Sequence, residues 1–446
     1  MESLRSSDTL RIVPSTATPA VESLAVQPVW SPLKKILFRF TCVYFFLYIF
    51  PFPLDAFPYV AQITQPYGDL WNALVPWVGK LVFHVNITVL PNGSGDTTYN
   101  YVQVFCFAVL AALATVVWSL LDRKRANYVR LNEWLRIYVA FSLAMSMISY
   151  GAIKVIKSQF PNPTLDRLVQ PFGDASPMGL LWTFMGASMA YSIFAGAAEM
   201  LGGLLLTTRR TRLLGGLVSI AVVSNIVMLN YAFDVPVKLY SSHLLVMGIF
   251  VILPDLGRLV SFFILNRTPE AVELRPLFVR PALRRGALIF QILFVVGYTG
   301  LALYGAQQGR QTYGDLAPRS TLRGVWNVEE MVVNGTVRPP VFTDATRWRR
   351  MVFDYKTGMS IYTMNDSRRR FNLKLGTAQK VMILTKREDP NASFTFNYQQ
   401  PAPGLLTVTG TMDGETIQAK LRRADEKSFL LTSRGFHWIN EYPFNR

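Results

Sequence analysis

The sequence predicts a polytopic α-helical membrane protein with about seven transmembrane helices, joined to a C-terminal antiparallel β-barrel-like domain. Three observations predict it. Long stretches between Leu33 and Leu303 carry almost no charge. Arg and Lys gather at the ends of those stretches, mostly on alternate connections. Beyond Thr321 the pattern changes to short alternating runs broken by turn signals.

Composition excludes several classes. Of 446 residues, 51% are hydrophobic and only 16% are charged, where a soluble chain carries about a quarter. A net charge of +17 suggests nucleic acid, but the basic residues flank apolar runs, as lipid headgroups and membrane orientation demand. The expected partner is therefore the lipid bilayer, with no nucleic acid. Residues 1–30 are polar, with scattered Ser, Thr and Pro, and the first apolar run starts only after Lys34 and Lys35. They read as a disordered tail and not as a cleavable signal peptide. Cys42 and Cys106 sit in apolar runs at different depths, so no disulfide is expected.

The membrane domain, residues 31–308, contains seven apolar segments: Ile36–Leu54, Tyr99–Leu121, Trp134–Val155, Gly179–Leu206, Leu213–Tyr231, Leu239–Leu253 and Ala287–Ala306. Each approaches the ~20 residues a crossing helix needs, the sixth being short. One set of connections holds Lys34, Lys35 and Arg39, then Arg123, Lys124, Arg125 and Arg130, then Arg209, Arg210 and Arg212. The last of that set holds Arg258, Arg267, Arg275, Arg280, Arg284 and Arg285. The alternate set holds few basic residues, Lys80, Lys157, Arg167 and Lys238 among them. The basic side is therefore expected to be cytoplasmic, in a multi-pass inner (plasma) membrane protein. Seven spans then place the N-terminus inside and the C-terminal domain in the periplasm or outside the cell. Leu70–Val85 and Leu256–Leu265 are expected as interfacial helices on the outer and inner faces.

After a linker, residues 309–320, the domain at 321–446 predicts strands at Gly324–Met331, Arg350–Asp354, Met359–Thr363, Phe371–Leu375, Val381–Leu384, Phe394–Tyr398, Leu405–Val408, Thr416–Leu421 and Phe429–Leu431. Asn334-Gly335 and Asp413-Gly414 mark hairpin turns. So many strands in a meander must close or hide their edges. The opening Gly324-x-Trp326 resembles the start of lipocalin-like barrels, whose interior holds a ligand or is filled by side chains.

Ionisable and polar groups within spans are the functional pointers, because each is costly in lipid unless paired or hydrated. Tyr150, Lys154 and Gln159 fall at the outer end of the third span, with Trp182 opening the fourth. Asn230 and Asp234 close the fifth, and Lys238, Tyr240 and His243 open the sixth. Either these line one outward-facing pocket, or the lysines snorkel, Trp182 and Tyr240 belong to an aromatic belt, and Asp234 pairs with Lys238 at a turn. Glu199 lies among small residues, expected toward the cytoplasmic half, with Asn225 or Arg136 as partner. It is either a helix clasp or a proton or ligand site. The three histidines, His84, His243 and His437, have no metal-ligand spacing. No phosphate-cradling loop or nucleophile elbow is present, and no cofactor is evident.

The stretch from Phe194 through Glu199, Gly202 and Gly203 to Arg212 resembles the signature of DoxX/DoxD-like membrane proteins. Tyr150-Gly151-Ala152-Ile153-Lys154 is similar to the ending of the preceding helix in that family. The resemblance covers roughly residues 134–253. It implies a DoxX-like four-helix core and allows a quinone or other lipophilic redox partner. A more distant likeness to vitamin K-dependent carboxylase-like membrane domains singles out Lys154 as a base. The expected function is thus a redox component acting on quinone or another lipophilic substrate at the outer leaflet, with Lys154, Asp234, Lys238 and His243 catalytic. Tyr150, Gln159, Trp182, Glu199, Asn225, Asn230 and Tyr240 would bind the substrate. The alternative is a non-enzymatic envelope protein whose β domain binds a lipid, a peptide or a partner protein.

Overall fold

A computed structural model of the chain describes residues 29–57, 60–89, 92–269, 271–272 and 276–445. Most of the expected tail, and Arg275 of the basic set, lie outside the described residues. The helices are α1 Pro32–Ile49, α2 Ala61–Val82, α3 Thr98–Leu121, α4 Val129–Val155, α5 Leu165–Val169, α6 Pro177–Ala187, α7 Met189–Leu206, α8 Arg212–Ala232, α9 Lys238–Ile252, α10 Leu256–Phe263, α11 Pro281–Thr312 and, at the far end, α12 Leu430–Ser433. Among the described residues, seven helical segments are long and apolar enough to cross a membrane: α1, α3, α4, α7, α8, the α9–α10 unit and α11.

Helices α4, α7, α8 and α9 pack in a closed ring, and α1, α3 and α11 flank it. The core is aliphatic, with Leu143, Ala144, Ile148, Leu206 and Val251 fully buried. Without water to drive association between spans, close packing does the holding. The basic connections converge on one end. Glu133 at the start of α4 takes Arg209 (3.1 Å) and Arg212 (3.4 Å), and Arg136 pairs with Asp255. Arg39 of α1 donates to the Asp122 carbonyl (2.9 Å) and the Tyr128 hydroxyl (2.7 Å). The barrel sits at the opposite end.

In the helical part three details differ from expectation. Trp30, assigned to the tail, is buried edge-on against Phe38 and Tyr128, an aromatic lid on the α1–α3 end. The interfacial segment at Leu70–Val85 is a longer helix, α2, whose Trp71 and Val75 bury against Val102, Cys106 and Phe107 of α3. The fourth span does not run unbroken from Gly179. It is two helices, α6 and α7, meeting at Ser188. There Ser188 caps α7 by accepting from Tyr191 N (3.2 Å), and Ser192 donates to the Met185 carbonyl (2.6 Å). Side-chain hydroxyls thus replace backbone partners that lipid cannot supply. Both cysteines are free.

The C-terminal domain has strands β1 Arg319–Val333, β2 Thr336–Val337, β3 Trp348–Tyr355, β4 Gly358–Thr363, β5 Arg368–Gly376, β6 Val381–Lys386, β7 Ser393–Gln399, β8 Leu405–Met412 and β9 Glu415–Arg423. All neighbours are antiparallel. β1 pairs with β3 and also with β9, closing eight strands into a barrel, while β2 only extends the β1 hairpin. The long β1 serves both partners by bending at register shifts, one between Val328 and Glu330, as a bulge allows. Asn334-Gly335 and Asp413-Gly414 both adopt positive φ, as tight hairpin turns require. The expected strand at Phe429–Leu431 is instead the start of α12, which follows a 3-10 turn at Glu426–Ser428.

The barrel interior is filled. Trp326, Trp348, Phe353, Phe371, Phe396 and Tyr398 form one buried cluster with surrounding Leu, Val and Met side chains. On the outside, Val325, Val352 and Tyr362 bury against Leu165 of α5, and Leu168, Val169 and Phe429 pack around them. Asp166 fastens the contact, accepting from the Tyr362 hydroxyl (2.9 Å) and pairing with Arg368 (2.9 Å).

Candidate functional site

A cavity of about 450 Å3 lies within the helix ring. Eight of the residues singled out from sequence line it: Tyr150, Lys154, Gln159, Trp182, Glu199, Asn225, Asn230 and Tyr240. Most of the remaining wall is apolar, including Met147, Leu181, Phe194, Ile226 and Leu229, as expected for a site that takes a lipophilic molecule.

The polar centre is an ion pair. Lys154 Nζ lies 2.8 Å from Glu199 Oε1 and 2.9 Å from Oε2, and both side chains are almost wholly buried. Glycines bring their helices together. A Cβ on Gly196 would meet the Gly151 carbonyl oxygen at 2.6 Å and Lys154 Cβ at 2.7 Å. The neighbouring Ala195 and Ala198 leave the cavity wall open on the same helix. Glu199 therefore pairs with neither Asn225 nor Arg136. Arg136 is engaged at the basic end, donating to the Val251 carbonyl (2.6 Å) and pairing with Asp255. The depth assigned from sequence failed because the span restarts at Met189, which places Glu199 within reach of Lys154.

Other polar groups differ in their availability. Asn230 donates to Ser241 (3.0 Å). Gln159 Oε1 is buried with no hydrogen-bond partner among the described residues, an acceptor at the cavity wall for an incoming donor. Above it, Lys157 donates to Asn162 Oδ1 (2.5 Å) and the Gly186 carbonyl (3.1 Å). Lys157 thus ties the end of α4 to the broken span; the sequence marked it only as a basic loop residue. Its burial holds its ammonium below the usual lysine range, against the opposing pull of Asp315.

Asp234, Lys238 and His243 do not join this cavity. Asp234 is largely exposed and pairs with Lys238 at 2.7 Å. Lys238 also approaches Asp96 (3.7 Å), which caps α9 by accepting from Lys238 N and Leu239 N. This is a helix-start clamp. His243 points toward α1, stacked on Tyr48 at 4.1 Å between ring centroids. Its Nδ1 donates to the Leu239 carbonyl (2.7 Å), which leaves Nε2 to accept from the Tyr44 hydroxyl (2.6 Å). Sequence depth set the level of these residues but not the face of the helix they occupy.

A second cavity of about 400 Å3 adjoins the first and shares Tyr150, Tyr240 and Leu244 with it. It is more polar, with Asp55, Ser142, Ser146, Ser149 and Tyr298 in its wall. Tyr240 donates to Ser146 (2.9 Å), and Ser149 hydrogen-bonds Tyr298 (2.8 Å). Among the described residues no group of three or more His, Cys, Asp or Glu side chains could hold a metal ion.

No protein-family model matches the chain, and no solved structure matches it. Over 123 residues the chain is 33% identical to the "Uncharacterized protein YwoB" of Bacillus subtilis (strain 168), an alignment covering 27% of this chain and 77% of that protein. With a third of positions identical across three quarters of YwoB, this chain belongs to the same family as YwoB.

Proposed function

We propose that the protein is a DoxX-type membrane redox component that binds a quinone or similar lipophilic carbonyl compound in the cavity between α4 and α6–α9. The observation that carries this reading is the buried Lys154–Glu199 pair, set in the wall of a cavity that is otherwise mostly apolar. An isoprenoid-like tail fits apolar walls, and a carbonyl oxygen fits the lysine ammonium. Glu199, 2.8 Å from the lysine nitrogen, fixes its position at the cavity wall, so Lys154 can donate a hydrogen bond, then a proton, to an oxygen gaining electrons from a separate donor protein. Gln159 offers an acceptor to a hydroxyl at the other oxygen. The resemblance of residues 194–212 to DoxX-like proteins supports the same chemistry. In this reading the arginine-rich end is cytoplasmic, in the inner membrane, and the barrel lies on the outer side.

The test uses the full chain in nanodiscs, with a short-chain quinone as ligand and quenching of tryptophan fluorescence, Trp182 included, as readout. Glu199→Gln and Lys154→Met should each weaken binding about tenfold or more, as expected for a charge-assisted contact. Binding unchanged in both variants removes the site.

A second reading is a non-enzymatic envelope protein whose barrel engages a partner protein. The filled barrel interior favours the outer wall over a barrel-held ligand for that role. Pull-down by the full chain, lost on changing exposed barrel residues but kept in Lys154→Met, would support it over the redox reading.

A further inference from the structure

The barrel and the helices border a third hollow, an open cleft of about 460 Å3, at their seam. Thr312 and Tyr313, where α11 ends, form one wall. The opposite wall is the barrel's outer face, where Lys356 of the β3–β4 hairpin, Arg370 of β5 and Arg387 just after β6 converge. These three cations have no ion pair and no side-chain hydrogen bond among the described residues.

The carboxylates at the hollow are already engaged. Asp354 pairs with Arg319 and Arg323 and accepts from Leu165 N (2.9 Å). Asp166 holds Arg368 and Tyr362. Elsewhere on the barrel, exposed cations face carboxylates: Arg369 and Lys386 face Asp413, Lys420 faces Glu330, and Arg422 faces Glu329. Burial, then the nearby Arg368, and further Arg387 and Arg167 hold the Arg370 guanidinium below its usual range, with Asp166 pulling the other way. Gly358 completes the geometry, because a Cβ there would lie 2.9 Å from Arg387 Nη2. The absent side chain lets that guanidinium lie over the hairpin.

Two guanidinium forks and an ammonium around one hollow, none of them in an ion pair among the described residues, match the tetrahedral oxygens of phosphate. The hollow lies at the end of α11, the last helix long and apolar enough to cross a membrane, so a lipid headgroup and a dissolved ion are the two sources of such a phosphate. We propose that this hollow is a phosphate-binding site, filled by the headgroup of an anionic phospholipid or by free phosphate. The site is independent of the intramembrane cavity and of any redox activity.

The test uses the full chain in two arms. Native mass spectrometry reads lipid retained from nanodiscs of phosphatidylcholine with and without phosphatidylglycerol. Isothermal titration with inorganic phosphate reads the free ion. Preferential retention of phosphatidylglycerol assigns a headgroup, and phosphate binding without lipid preference assigns the free ion. Either supports the site if Arg370→Gln/Arg387→Gln weakens it about tenfold or more, while Arg422→Gln leaves it unchanged. Neither ligand binding, or binding that survives the double variant, overturns the proposal. Should that variant not fold, Lys356→Gln with Arg387→Lys makes the same comparison: severalfold weaker binding supports the site, and unchanged binding overturns it.

Discussion

Lys154 places its ammonium within hydrogen-bond reach of both carboxylate oxygens of Glu199, joining α4 to α7 inside the bilayer-spanning bundle. Removing one partner strands the other charge away from water. Lys154→Met and Glu199→Leu should each cost about 3–5 kcal/mol, while the double variant should recover much of the loss. Thermal unfolding in one detergent checks this. Single variants as stable as wild type would mean the pair bears no such buried charge.

The glycine contact beside that pair should be equally sensitive. A side chain at Gly196 runs into the Gly151 carbonyl and the Lys154 stem, so Gly196→Val forces the helices apart. The expected cost is about 1–3 kcal/mol, as for other overpacked sites, together with weaker ligand binding in the cavity. Gly257→Ala, at a glycine with nothing within 4 Å, is the control and should leave the unfolding midpoint in place. Equal effects from the two would place the cause outside packing.

Docking of the barrel depends on Asp166. Asp166→Ala deprives Arg368 of its carboxylate and the Tyr362 hydroxyl of its acceptor, which should cost about 2–3 kcal/mol of docking. The barrel keeps its own core, so its unfolding should stay the same while residues 313–318 become easier to cleave. Limited proteolysis reads this directly. Unchanged cleavage means the seam is held by its apolar contacts alone.

The loop before β3 carries a pH-dependent contact. Hydrogen bonds from the Thr346 hydroxyl and the backbone N–H groups of Thr346 and Arg347 hold the Asp344 carboxyl below its ordinary 3.8. The unfolded chain therefore binds the proton more tightly in that range. The stabilisation is fully present above pH 3.8 and fades as pH falls through the lower folded value. Asp344→Asn should be less stable than wild type at pH 6, with the gap closing toward acid. Trp326 and Trp348, buried in the barrel, supply the fluorescence signal. A gap that is constant across pH would show that the carboxylate charge is not involved.

The spans and strands were readable because lipid and the sheet pleat impose simple periods on a chain. Val381 opens both the expected and the observed strand, and Leu405 does the same for the next but one. The break at Ser188 was not readable, since apolar residues continue on both sides and hydroxyls can cap a helix from within an apolar run. The choice of partners was hidden for the same reason. Lys154 and Glu199 were each conspicuous, yet their meeting depends on where α7 begins and on how closely Gly196 approaches Gly151. His243 shows the opposite error: its level placed it with Lys154, but its side chain turns toward Tyr48. Phe429–Leu431 has the apolar content of a strand, but the closed ring offers it no edge to pair with.

The barrel's first strand, β1, is zipped to its last, β9, from Trp326–Arg423 to Val333–Ile417. A ribosome must therefore pass Arg423 before the cylinder can shut, after all the apolar helices have been made. A premature stop before Glu415 would leave raw sheet margins on a chain already confined to two dimensions. Neighbouring copies in that plane would then present each other with unpaired strands, and clumping in the membrane would precede any loss of the helices themselves.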